Sequence, residues 1–183
     1  MVSASLCGHC SGPFVWDTSA LLHASNAGRL DVLGSFVSGS SDQPWLHYVT
    51  ATGAEEMRRL GHQPPEWATV VHVDGLDEIT AFAGWSMRLV SGSHHRGEAA
   101  VAAWAESHRA VAVIDDRDAS QVMKQAGLHV HGSLWMLCNA VKAGRINERT
   151  AAGFVDAVAA TGARFPFPSG GFTSWAYTAK LLP

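Results

Sequence analysis

The stretch Ala110-Val111-Ala112-Val113-Ile114 is apolar at every position and ends on Asp115-Asp116. A strand with one wet face alternates polar and apolar residues. One that is apolar throughout is covered on both faces, as in a parallel sheet packed between helices. Phe14-Val15-Trp16, ending on Asp17, and the β-branched run at 69–73 read the same way. Strands are expected over 14–16, 46–50, 69–73, 110–114 and 128–131. Helices are expected over 18–24, 30–37, 54–60, 74–83, 97–109, 118–126, 133–143 and from a cap at Asn147 to about 160. Gly61, Gly127 and Gly144 stand where helices should stop. Segment 85–90 fits neither pattern. The alternation of strand and helix predicts an α/β fold: three layers, α/β/α, around a central, mainly parallel sheet.

The chain has 183 residues, of which 47 % are hydrophobic, enough to bury the core of one domain. Its division is expected as an extension at 1–12, a domain at 13–164, and a tail at 165–183 that opens rich in Pro, Gly and Phe. The formal charge is −3, so any nucleic-acid contact must come from a local basic patch or through cations. No apolar run approaches the ~18 residues of a membrane span, and the first 13 residues lack the basic start and apolar core of a secretory signal. With three cysteines, Cys7, Cys10 and Cys138, a cytoplasmic, reducing location is expected.

Acids stand at the strand ends. In open α/β sheets, ligands gather at the carboxyl edge where strand order reverses. Asp17 and the pair Asp115-Asp116 fall at such ends, as helix caps or as parts of a site. Glu98 precedes Val101, Ala102 and Ala105 by three, four and seven positions, which puts it on the apolar face of its helix. A carboxylate there is costly unless paired or metal-bound; the other reading is a first-turn Glu that favours the helix dipole and reaches solvent. Glu55-Glu56 opens another helix, an ordinary place for acids. If the acids converge, two carboxylates at ~4 Å repel by roughly 4 kcal/mol at an effective dielectric near 20. A hard cation, Mg²⁺ or Mn²⁺, would relieve that.

Several stretches together resemble a known family. Val15-Trp16-Asp17-Thr18-Ser19-Ala20-Leu21-Leu22 resembles the first motif of PIN domains. Gly97-Glu98-Ala99-Ala100, Val113-Ile114-Asp115-Asp116-Arg117 and Gly127-Leu128-His129-Val130-His131-Gly132-Ser133-Leu134 resemble a prokaryotic PIN branch similar to the VapC-type toxins, and Gly144-Arg145-Ile146 fits as well. The resemblance runs from about Phe14 to Ile146. It implies a five-stranded parallel sheet with the first and fourth strands adjacent. It also implies metal-binding acids at Asp17, Glu98 and Asp116, with Asp115 as the neighbour able to replace Asp116. Glu56 and Asp118 match further catalytic acids, and Ser19 matches the small polar residue that orients the first Asp. Gly53 and Ala54 depart from the family, which usually carries a bulky apolar residue there. His94-His95-Arg96 also departs from it, as a solvated loop or as an RNA-backbone contact.

What the resemblance implies is an Mg²⁺- or Mn²⁺-dependent endoribonuclease, the toxin of a toxin–antitoxin pair. It would form a homodimer and be blocked by an antitoxin protein. The alternative is a catalytically silent PIN-like module that binds RNA or protein. Cys7-Gly8-His9-Cys10 spells a disulfide-isomerase motif, but only six residues precede it and Ser11-Gly12-Pro13 follows instead of a helix. Zinc needs four ligands, and His9 with Cys138 would complete a set only by accident of folding. Among ten histidines, His94-His95 and His129-x-His131 have ligand spacing without an evident third partner. Trp104, Trp135 and Trp175 are core or partner surface, and Trp175 with Tyr177 either meets a partner or covers the sheet.

Overall fold

The computed structural model describes residues 13–38, 45–89 and 96–183. Cys7-Gly8-His9-Cys10 and His94-His95 lie outside them. The elements run β1 (Phe14–Trp16), α1 (Thr18–Asn26), α2 (Leu30–Val37), β2 (His47–Thr50), α3 (Ala51–Arg59), β3 (Thr69–Val71) and α4 (Leu76–Arg88). They continue with α5 (Arg96–His108), β4 (Val111–Val113), α6 (Arg117–Gln125), β5 (Val130–His131), α7 (Ser133–Lys142), α8 (Glu148–Ala159) and α9 (Phe172–Thr178). The five strands form one parallel sheet in the order β3-β2-β1-β4-β5. The chain steps outward from β1 to β3, then returns to lay β4 on the other side of β1. The switch point therefore lies between β1 and β4, which are paired as Phe14 with Val111 and Trp16 with Val113.

Successive side chains of each strand enter opposite layers. Phe14, Trp16, Val111 and Val113 join one apolar core with α1, α2, α7, α8 and α9. Val15, Ala112, Ile114 and Val130 join the other with α5 and Trp85 of α4. In β1 and β4 this two-sided burial is why the apolar run is unbroken, whereas the edge strand β3, read from sequence as covered in the same way, is exposed at Thr69 and Val70. The layers make the three-layer α/β/α fold expected.

The carboxyl edge is built from capped turns. Asp17, Thr50 and Asp116 follow or end β1, β2 and β4, and each accepts a backbone N–H in the first turn of the next helix. Asp17 takes it from Ser19 at 2.9 Å, Thr50 from Gly53 at 3.1 Å, and Asp116 from Ala119 at 2.8 Å. The Thr50 cap starts α3 at Ala51, three residues earlier than the sequence pattern indicates. In α4 the Glu78 carboxylate folds back to the N–H groups of Asp74 (3.0 Å) and Gly75 (2.8 Å). That helix runs on to Arg88 through the segment where neither sequence pattern holds, and buries Trp85. Gly53 and Ala54 bring α3 close to α1: a Cβ at position 53 would stand 3.1 Å from Thr18 Oγ1.

Beyond α8, Phe165, Phe167, Phe172, Trp175 and Leu182 pack on the first core. Gly170 N–H donates to Asp156 (2.8 Å), and the Tyr177 hydroxyl donates to Glu148 (2.6 Å). Cys138 is buried in the same core, and burial pushes its thiol up to about 11. No helix among the described residues is long and apolar enough to cross a membrane.

One close approach gives a sharp stability test. A Cβ on Gly34 would fall 2.2 Å from Trp67 Cδ1. Trp67 is held by its indole N–H on Leu30 O (3.1 Å) and by edge contacts to Trp16 and His47. Gly34→Ala is expected to cost about 1–3 kcal/mol through overpacking, despite Ala's better helix propensity. Urea unfolding should show the midpoint falling at unchanged m-value; an unchanged midpoint would mean Trp67 can step aside.

Candidate active site

Asp17 is 4 % exposed. Its Oδ2 accepts both the N–H and the hydroxyl of Ser19. Burial pushes the Asp17 carboxyl up to about 6. The Ser19 bonds oppose this, while the charges of Glu98 and Glu56 add to it. Two acids far from it in the chain, Glu56 of α3 and Glu98 in the first turn of α5, thus act on Asp17 at the end of β1.

Gly97 is the space between them. A Cβ there would stand 3.2 Å from Glu56 Oε2 and 3.9 Å from Asp17 Oδ1. Any side chain at 97 would press on the gap between these carboxylates. Gly97 is a residue whose role sequence reasoning missed. A glycine at the start of an otherwise Ala-rich helix, directly before the acid, was the available signal.

A cleft of about 480 Å³ lined by Asp115, Asp116, Arg117 and Lys124 opens at this edge, and two others flank Asp17. One, of about 710 Å³, is lined by Glu55, Glu56, Gly97, Thr52 and the two arginines Arg59 and Arg96. The other, of about 290 Å³, is lined by Ser19, His23, Asp115, Asp116, Arg164 and the Leu134-Phe165-Pro166 wall. Asp17 is linked to both, through Gly97 on one side and Ser19 on the other. The contribution of His23 and Arg164 to the second cleft was not legible, because their positions depend on α1 and on the chain after α8 meeting at the sheet edge.

The sites expected from sequence therefore divide. Asp17, Glu56 and Glu98 are brought together. Asp115 and Asp116 share the smaller cleft with Ser19. The two carboxyls at the end of β4 differ in their partners. Asp115 accepts the N–H and the hydroxyl of Ser133, both at 2.7 Å. It thereby caps α7, whose own N-cap, Gly132, has no side chain to offer. Asp116 is exposed and holds Ala119 N–H through Oδ1. Asp118 is exposed in the first turn of α6 and lines none of these clefts.

His131 stacks on Trp135, with ring centroids 3.7 Å apart. Burial, together with the Lys124, His129 and Lys142 charges, holds it down at about 4. Trp104 is buried against Tyr48 and His108, and Trp175 is half-buried against Phe167 and Phe172.

Residues 13–167 match the family model of the PIN domain. The chain belongs to the PIN-domain family. PIN domains are typically nucleases and generally use a divalent cation, so this chain carries a nuclease-type fold. No curated protein and no solved structure matches it.

The donors at this PIN domain's edge suit such a cation chemically. They are carboxylate oxygens around a buried acid whose charge is otherwise costly, beside a glycine that leaves room. Among the described residues, no three His, Cys, Asp or Glu side chains are drawn into one ion's cage. What suits a cation here is the donor type and the desolvation of the Asp17 charge.

Proposed function

We propose that this PIN domain is a metal-dependent endoribonuclease and the toxin of a toxin–antitoxin pair. The observation that carries the reading is Asp17. It is a buried carboxyl with its pKa raised to about 6, set opposite Glu98 and Glu56 at the switch point of a parallel sheet. Burying acids against one another is costly for folding alone, and such groups cluster at functional sites. Asp17, Glu98 and Asp116 are the residues that would hold Mg²⁺ or Mn²⁺, with Asp115 as the alternative to Asp116. When bound, the ion would supply a water of lowered pKa and neutralise charge on the phosphodiester. Ser19 fixes the rotamer of Asp17 through two hydrogen bonds. Glu56, across Gly97 from Asp17, would orient the attacking water, and Asp118 would assist at longer range.

The test is cleavage of a 5′-labelled single-stranded RNA. Cutting is expected with Mn²⁺ or Mg²⁺, leaving a 3′-hydroxyl and a 5′-phosphate, and is expected to stop in EDTA. Activity untouched by EDTA would overturn the metal-dependent reading. As a toxin, the chain would have an antitoxin whose arginine engages the acids, and a homodimer is expected. Leu76 (82 % exposed), Met87 (74 %) and Ile79 on α4 leave apolar surface for that contact.

The open arrangement of the acids favours a second reading, a PIN module that binds RNA or protein without useful catalysis. Isothermal titration separates the two. No heat at millimolar Mn²⁺ and an unchanged melting temperature would favour the silent module.

A further inference from the structure

The larger cleft holds cations as well as acids. Arg58, Arg59 and Arg96 all lie near it, yet they differ in engagement. Arg58 faces Glu55 at 3.8 Å, one turn back on the same helix, and is not part of the lining. Arg59, the last residue of α3, and Arg96, the first of α5, both line the cavity with Glu56 and Gly97. Neither forms an ion pair with a described acid.

A chain of net charge −3 that offers Glu55, Glu56, Asp17 and Glu98 at one edge repels a polyanion. Binding RNA there needs bound cations or a local basic patch, and guanidinium groups on the strand's own path supply the second. An unpaired Arg donates in a planar fork that matches two phosphate oxygens, and two of them on different helices can hold successive phosphates. The cavity, about 710 Å³, lies within the range of about 300–1,000 Å³ typical of ligand sites.

We propose that Arg59 and Arg96 are a phosphate-positioning pair that lays a single RNA strand along the cleft beside Glu56, Gly97 and Asp17. This rests on the ribonuclease reading. It assigns the pair to substrate binding and not to the chemical step, so the two arginines act on affinity and KM while kcat stays within about twofold.

The experiment uses the full chain carrying Asp17→Asn, so that RNA is not consumed, and a fluorescein-labelled single-stranded RNA 12-mer followed by anisotropy. Arg59→Gln and Arg96→Gln are each expected to weaken binding about 3–10-fold. Each should also reduce the slope of log K against log salt by about 0.7, the contribution of one phosphate contact on a single strand. Arg58→Gln, whose arginine is already paired, should leave both quantities unchanged. All three side chains are exposed on helices, and thermal melting monitors that the variants stay folded. In the Asp17-bearing chain, KM for cleavage should rise in the Arg59 and Arg96 variants.

If the protein binds RNA and the Arg59/Arg96 double variant behaves like Arg58→Gln, the positioning pair is refuted while the nuclease reading stands. If binding depends on the pair but no RNA is cut with Mn²⁺, the pair is supported and the catalytic reading falls. If the chain neither binds nor cuts RNA, both fall.

Discussion

Asp17→Asn is expected to make the metal-free protein more stable at pH 8 while lowering ribonuclease activity by at least ~10²-fold. The two effects share one cause. The folded-state pKa of Asp17, about 6, lies above its ordinary value of 3.8. The folded protein therefore binds this proton more tightly than the unfolded chain does. The resulting cost is absent below pH 3.8, grows between there and pH 6, and is complete above it. A rise from 3.8 to about 6 corresponds to roughly 3 kcal/mol. Asn keeps an oxygen for the Ser19 bonds but loses the charge assistance, so a net gain of about 1–3 kcal/mol is expected at pH 8.

The comparison must be between variant and wild type at each pH. His47 and His131 are held neutral, each with its pKa near 4. They destabilise the fold as pH falls below 6.5, opposite in sign to Asp17, and mask its contribution in the wild type alone. They cancel in the difference, which should shrink to nothing near pH 4. Mn²⁺ should raise the melting temperature of the wild type and leave Asp17→Asn unmoved. Equal stability at pH 8, with activity retained, would remove Asp17 from the site.

Much of the fold could be read from residues whose environment is nearly the same whatever the topology. Ala110 to Ile114 is covered on both faces because alternate side chains, Val111 and Val113 against Ala112 and Ile114, feed two different cores. That burial writes itself into the sequence as an unbroken apolar run. α2 was legible at both ends. The beginnings of α3 and α4 were not. The first depends on the Thr50 hydroxyl reaching Gly53 N–H, and the second on Glu78 turning back to two amides. Local hydrogen bonds of this kind override the apolar period. Trp85 fits no simple period because its burial comes from packing against α5 and from its indole N–H on Glu106 (2.6 Å), a residue 21 positions away.

The candidate site was legible as a set of acids but not as an arrangement. Strand ends named Asp17 and the Asp115-Asp116 pair, and helical spacing named Glu98. α5 is buried almost all round from Gly97 to Ala105, so the face assigned to Glu98 reflected general burial as much as a direction toward the site. What the sequence did not contain was the division of labour. It depends on which helix N-terminus lies within reach of which carboxylate, and on a glycine being needed where two acids approach.

That division predicts opposite outcomes for two adjacent aspartates. Asp115 spends both oxygens on the Ser133 N–H and hydroxyl, supplying the cap that Gly132 cannot. Asp115→Ala should therefore leave the first amide of α7 without its acceptor and cost about 1–2 kcal/mol, with activity falling only as far as the folded fraction does. Asp116 caps α6 through one oxygen from an exposed position. Because Asn caps a helix about as well as Asp, Asp116→Asn should shift stability by less than about 0.5 kcal/mol. Its rate, on the proposed role as a metal-holding acid, should fall at least ~10²-fold. Urea midpoints and single-turnover cleavage on both variants decide the matter. A fully active Asp116→Asn beside an inactive but folded Asp115→Ala would transfer the catalytic role to the first aspartate. The Ser133 bonds would then be the means by which α7 holds a ligand in place, rather than the means by which a ligand's neighbour holds α7.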